Sequence, residues 1–128
     1  MFRFLRKKKK SGREGISNEE VLDILSRAAD YLKDNPKVVF DPYPIYDERV
    51  MCVFGTLSED LNYMADYERL KDVEIETMDI RQIATMYTFV QRGERFCDGH
   101  IAAYIENGTL YRLVKRQLEL TESREGER

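Results

Sequence analysis

Residues 92–100, Arg-Gly-Glu-Arg-Phe-Cys-Asp-Gly-His, contain the single histidine of this chain and one of its two cysteines. If a helix begins just ahead of Asp98, Cys97 and His100 stand at i and i+3, with Cβ atoms about 5–6 Å apart, close enough for a thiol and an imidazole to meet. Arg95 and the positive end of that helix would both favour a thiolate. Cys97, His100 and Arg95 are therefore the candidate catalytic residues for thiol chemistry. A cysteine nucleophile also needs a base oriented by a third group, and donors to hold an oxyanion. With Asp98 engaged as a helix cap, the surrounding sequence offers neither. Structural zinc takes four ligands, commonly Cys and His. Besides carboxylates this chain has only Cys52, Cys97 and His100 to give. No metal or other cofactor is expected.

The same residues also have ordinary structural tasks. A free cysteine behaves as a small hydrophobe, so Phe96 and Cys97 are expected to plug the core. Asp98 is the expected N-cap of the following helix, its carboxylate accepting amides near His100 and Ile101. Arg92 or Arg95 would pair with an acid across the turn, Gly99 would permit close backbone approach, and His100 would hydrogen-bond a carbonyl. On this reading Arg92, Arg95, Phe96, Cys97, Asp98, Gly99 and His100 form a joint between two helices.

Those helices sit in a pattern that is helical almost throughout. Ser17-Asn18-Glu19-Glu20 is a capping box, and Val21, Leu22, Leu25, Ala28, Ala29 and Leu32 follow at spacings of three and four until Asn35-Pro36 ends the helix. Asp41-Pro42-Tyr43-Pro44-Ile45-Tyr46 cannot be helical, because each proline pushes the residue before it into an extended conformation. It predicts a strap whose tyrosines pack on the helices, with room for one short β-pairing near Val38. Asp47 caps a largely apolar helix through Val50, Met51, Val53, Phe54 and Leu57, and Ser58-Glu59-Asp60 marks a break before another through Leu61, Met64, Ala65, Tyr67 and Leu70. Asp79-Ile80-Arg81-Gln82 is a second capping box, and its helix carries Ile83, Ala84, Tyr87 and Val90 to an expected glycine terminus at Gly93. Asn107-Gly108 closes the helix after the joint with a left-handed turn, and Thr109 caps a last helix burying Leu110, Leu113, Val114 and Leu118. The fold class is all-α, a compact bundle of about five to six short helices with an extended Pro/Tyr strap.

At 128 residues the chain suits one domain. The expected division is a disordered basic arm over residues 1–16, one helical domain over residues 17–120 and a disordered tail over residues 121–128. Arg3, Arg6, Lys7, Lys8, Lys9, Lys10 and Arg13 lie in the first thirteen residues with no acid among them, which leaves 14 basic against 24 acidic residues beyond. No apolar stretch follows this basic segment, so it does not read as a secretion signal, and no run approaches the roughly 18 apolar residues that span a bilayer. A cytosolic chain with two reduced thiols is expected.

Arg92, Arg95, Phe96, Cys97, Asp98, Gly99 and His100, followed by Gly108 and a leucine-bearing last helix, resemble a group of small prokaryotic and phage proteins classed as a domain of unknown function. The Pro42-Tyr43-Pro44-Ile45-Tyr46 strap is similar to the proline-and-tyrosine segment of that group, where a serine often stands in the place of Asp47. Both residue types cap helices. The resemblance runs from about Phe40 to Leu118, implies a helical fold and brings no established activity.

The function expected is a non-enzymatic protein-interaction module, with a protein partner meeting a surface near the joint and Tyr43 and Tyr46. The alternative is a nucleic-acid-binding protein. Two short helices joined at Asn107-Gly108 look like a helix-turn-helix, the second carrying Arg112, Lys115 and Arg116, with phosphate contacts added by Arg3, Arg6 and Lys7 to Lys10. Against that alternative stand the acidic body and Tyr104, placed where such motifs want a small residue.

Overall fold

The computed structural model of the chain describes residues 16–58 and 62–126. Six α-helices carry the fold among these residues: α1 (Asn18–Asp34), α2 (Glu48–Leu57), α3 (Tyr63–Leu70), α4 (Ile80–Gly93), α5 (His100–Glu106) and α6 (Thr109–Gly126). A 3-10 turn, Ile75–Thr77, precedes α4. Two strands of two residues each, β1 (Val39–Phe40) and β2 (Pro44–Ile45), pair antiparallel with Val39 opposite Ile45 and Phe40 opposite Pro44. The strap is thus a minimal hairpin, and the Asp41–Pro42 bond at its tip is cis.

Capping explains where the helices start. Ser17 accepts the Glu20 amide while the Glu20 carboxylate takes the Ser17 amide, and Asp79 and Gln82 repeat the exchange ahead of α4. Asp47 accepts the Arg49 amide at the head of α2. At α6 the duty expected of Thr109 falls to Asn107, whose Oδ1 takes the Thr109 amide, while Gly108 turns the chain at φ +87°.

One hydrophobic cluster draws on all six helices. α6 packs chiefly against α1, and α1 also packs on α2. Phe54 and Tyr87 meet edge to face at its centre, both fully buried. α6 continues through Gly126, where the sequence suggested a frayed tail from residue 121. Thr121 is buried because it extends the row Leu110, Leu113, Val114, Gln117 and Leu118 at helical spacing. Across the bundle, Arg112 on α6 is joined to Glu76 and Glu74 beside the 3-10 turn, and its guanidinium holds the Glu76 carboxyl down at about 2. No helix among the described residues is long and apolar enough to cross a membrane.

Candidate functional site

α4 ends at Gly93 and α5 begins at His100, so residues 94–99 must reverse the chain and supply partners for the first amides of α5, which have none inside the helix. Glu94 supplies two of them. One carboxylate oxygen accepts the Ile101 amide at 2.7 Å, the other the Gly99 amide at 2.9 Å, and both lie 3.0 Å from the Tyr46 hydroxyl. That hydroxyl donates to Glu94 and in turn accepts the Ala102 amide at 3.1 Å. The His100 amide donates to the Cys97 carbonyl and Ala103 begins the helical ladder at Gly99. The N-cap and first-turn amides of α5 are all satisfied, Gly99 and Ile101 by Glu94, Ala102 by Tyr46 and His100 by the Cys97 carbonyl. Burial is the main cause that raises the Tyr46 phenol far above its ordinary value, and the Glu94 carboxylate beside it adds to the rise.

The cap expected of Asp98 is therefore made by Glu94. Asp98 is exposed, and the N-cap residue is Gly99, held at φ +94° with no side-chain cap. Asp98 accepts none of the α5 amides, whereas Glu94, the C-cap of α4, accepts two amides at the head of α5. Glu94 was legible in one respect only: it is the acid nearest the end of α4.

His100 is half-buried and makes the carbonyl contact expected of it, Nδ1 to the Val90 carbonyl at 2.9 Å. A carbonyl can only accept, so Nδ1 carries the hydrogen. The ring meets Phe89 and Tyr104 edge on, and Phe89 stacks on Tyr67 at 3.6 Å. Gly93 makes room for it, since a Cβ there would lie 2.1 Å from the imidazole. That is the reason for a glycine at the end of α4, in place of the left-handed terminus expected.

Phe96 and Cys97 do not plug the core. Phe96 is 84% exposed, and Cys97 and Cys52 are both exposed free thiols. The turn is too tightly wound to reach inward: the Phe96 and Cys97 amides both donate to the Gly93 carbonyl, and Glu94 and Tyr46 occupy its inner side. The Cys97 thiol lies 3.9 Å from the Asp98 carbonyl and makes no hydrogen bond to His100 among the described residues. Arg92 lies over the Tyr63 ring, and neither it nor Arg95 forms an ion pair among those residues. No three His, Cys, Asp or Glu side chains gather there as a metal site.

The turn that carries Phe96 also touches the hairpin. Gly99 approaches the Phe40 ring so closely that a Cβ would sit 3.3 Å from it, which ties the turn to the hairpin. Phe40 is 50% exposed, Val39 65%, Ile45 58% and Tyr43 67%. Of the two strap tyrosines, Tyr46 packs inward as expected and Tyr43 does not. Beside the hairpin a cleft of about 370 Å³ opens between Tyr31 of α1, Asn35 just past its end, Val50 of α2 and Ile105 of α5.

The cations assigned to nucleic acid fare differently. Arg3, Arg6 and Lys7 to Lys10 lie outside the described residues. Arg112 is committed to Glu76 and Glu74, and Arg116 donates to the Met78 carbonyl and pairs with Glu119. Lys115 alone of the three makes no such contact among the described residues.

Residues 19–123 match a family described as of unknown function, DUF6508. No curated protein and no solved structure matches the chain.

Proposed function

The chain belongs to the DUF6508 family of unknown function, and we propose that it works as a non-enzymatic protein-interaction module whose contact surface is formed by Phe96 and the hairpin residues Val39, Phe40, Tyr43 and Ile45. The observation that carries this reading is the exposure of Phe96 on a turn with no freedom to hide it. A large apolar ring held in water by a dedicated network of hydrogen bonds is uncommon on a monomer surface and common at the centre of interfaces, where aromatic side chains contribute most. The hairpin extends the patch, and Glu94 and Tyr46 preorganise it, which lowers the ordering cost of binding.

The thiol reading has less support, because Nδ1 of His100 is bonded to Val90 and the Cys97 thiol has no base in contact with it. The nucleic-acid reading loses Arg112 and Arg116 to partners within the bundle.

Benzoyl-phenylalanine introduced at position 96 of the full chain, and irradiated in the cells that express it, tests the proposal. A discrete protein adduct that disappears with Phe40→Ser is the expected result. Absence of an adduct, or the same adducts from benzoyl-phenylalanine at exposed Met64 on α3, would overturn it.

A further inference from the structure

Pro44 fixes which main-chain groups of the hairpin point outward. It has no amide hydrogen, so Phe40 and Pro44 cannot exchange ladder bonds, and the bonds of this antiparallel pair must fall on either side of them. The Asp41 amide accordingly donates to the Tyr43 carbonyl at 3.0 Å, and Val39 and Ile45 form the bonded pair on the other side. Phe40 therefore turns both its amide and its carbonyl away from β2, and neither has a partner among the described residues. Val38, two residues earlier, points its amide to that same side. There it meets a side chain and no strand: the Glu106 carboxylate at the end of α5, at 2.9 Å. The two edges of the hairpin differ in consequence. Along β2 the outward amide position is a proline, which cannot donate to an added strand, whereas along β1 it is open at Phe40 and held at Val38 only by a carboxylate.

We infer that the outer edge of β1 receives an extended segment of the partner protein as a third strand of this sheet. The Phe40 amide and carbonyl bond the main chain of the segment, and one of its carbonyls replaces Glu106 on the Val38 amide. In the free chain the Glu106 carboxylate stands where that strand acceptor goes. Main-chain bonds supply the affinity in such an addition, and alternate side chains supply the choice of partner. Val39, Tyr43 and Ile45 are exposed on one face of the hairpin, while Val38, Pro44 and Tyr46 are half-buried beneath it. A residue of the segment opposite Val39 continues the exposed row Val39 and Ile45, and a residue opposite Phe40 lies beside the half-exposed Phe40 ring. The segment that fits has β-branched or aromatic side chains at those places, where cross-strand pairs with Val39 and Phe40 contribute most.

Strand addition rests on the patch being a docking surface, and the two separate by experiment. Amide hydrogen exchange of the full chain, read by NMR, is expected to show the Phe40 amide exchanging as an unpaired group while those of Val39, Asp41 and Ile45 are slowed. Peptides of about seven residues, selected from a random library on the immobilised full chain, then serve as the probe. The expected binders slow the Phe40 amide and lose about three- to tenfold in affinity when the peptide amide that meets the Phe40 carbonyl is N-methylated. N-methylation of the next amide, which points away from β1, should change little. Glu106→Ala, checked by thermal melting to be folded, frees the Val38 amide and should tighten binding several-fold. A Phe40 amide already slowed in the dilute chain, binders indifferent to the position of the N-methyl group, or no enriched peptide would overturn strand addition. Slowing of the Phe40 amide that grows with the concentration of the chain alone would assign the edge to a second copy and overturn the partner segment. If position 96 captures a partner in spite of any of these results, the docking reading stands without its third strand; neither capture nor binders would remove both.

Discussion

Replacing Glu94 by alanine removes the acceptor of three donors at once. The carboxylate accepts the Gly99 and Ile101 amides and the Tyr46 hydroxyl, all at 2.7–3.0 Å. Hydrogen bonds to a charged acceptor contribute about 1.5–3 kcal/mol each in net terms, but this site is only half-buried and water can replace part of what is lost. A cost of about 2–4 kcal/mol is expected for Glu94→Ala, corresponding to a fall in Tm of about 10 °C or more in a domain of this size. Glu94→Gln keeps one carbonyl acceptor and turns an amide donor toward another donor, so it should recover less than half of the loss. Tyr46→Phe strands the Ala102 amide and should cost about 1–2 kcal/mol, with a favourable coupling to Glu94 in a double-mutant cycle. Asp98→Ala is the decisive control, since an exposed residue that caps nothing should change stability by no more than about 0.5 kcal/mol. Urea unfolding followed by circular dichroism measures all four. The assignment of the cap to Glu94 fails if Asp98→Ala destabilises more than Glu94→Ala, or if Tyr46 and Glu94 prove additive.

Gly93→Ala should destabilise by about 1–3 kcal/mol despite the better helix propensity of alanine, because its Cβ forces the His100 ring off the Val90 carbonyl; His100→Ala should relieve that penalty in the double variant, read by thermal melting. Phe96→Ser should leave unfolding within about 0.5 kcal/mol of the parent, in place of the 3–5 kcal/mol that a buried phenylalanine costs. Asp47 and Glu76 are both held at about 2 by their arginine partners, below the 3.8 and 4.5 of the unfolded chain. Their contribution is therefore fully present above pH 4.5 and lost as pH falls through about 2, and Arg112→Ala should flatten that acid limb in pH-dependent melts. Cys97 and Cys52 should both react with a thiol reagent in the native protein, and a Cys97 that labels only after denaturation would contradict the exposed turn.

The helices and most of their starts were legible in the sequence because the signals are local. A capping box spans four residues, so Ser17–Glu20 and Asp79–Gln82 could be read without knowing what lay elsewhere. The same holds for the core faces of α1 and α4, whose three-and-four spacing is a property of one helix. The candidate site was less legible. Asp98 had the right residue type one position too early, and the group that does cap α5 comes from a helix end five residues away in the chain, joined by a tyrosine 48 residues distant. Phe96 looked like core on composition alone, since phenylalanine is usually buried.

Sequence by itself determined the all-α character of this protein as a bundle of about five to six short helices, the Pro/Tyr strap and the joint between α4 and α5, because periodicity, proline geometry and capping act over a turn or two of chain. Only the tertiary structure decided that the joint is clamped from within by Glu94 and Tyr46 and presents Phe96 outward beside the hairpin. Which side of a turn faces the core depends on what already fills that side, and here two polar residues from separate elements, satisfying amides that α5 cannot satisfy alone, leave the aromatic ring no space inside.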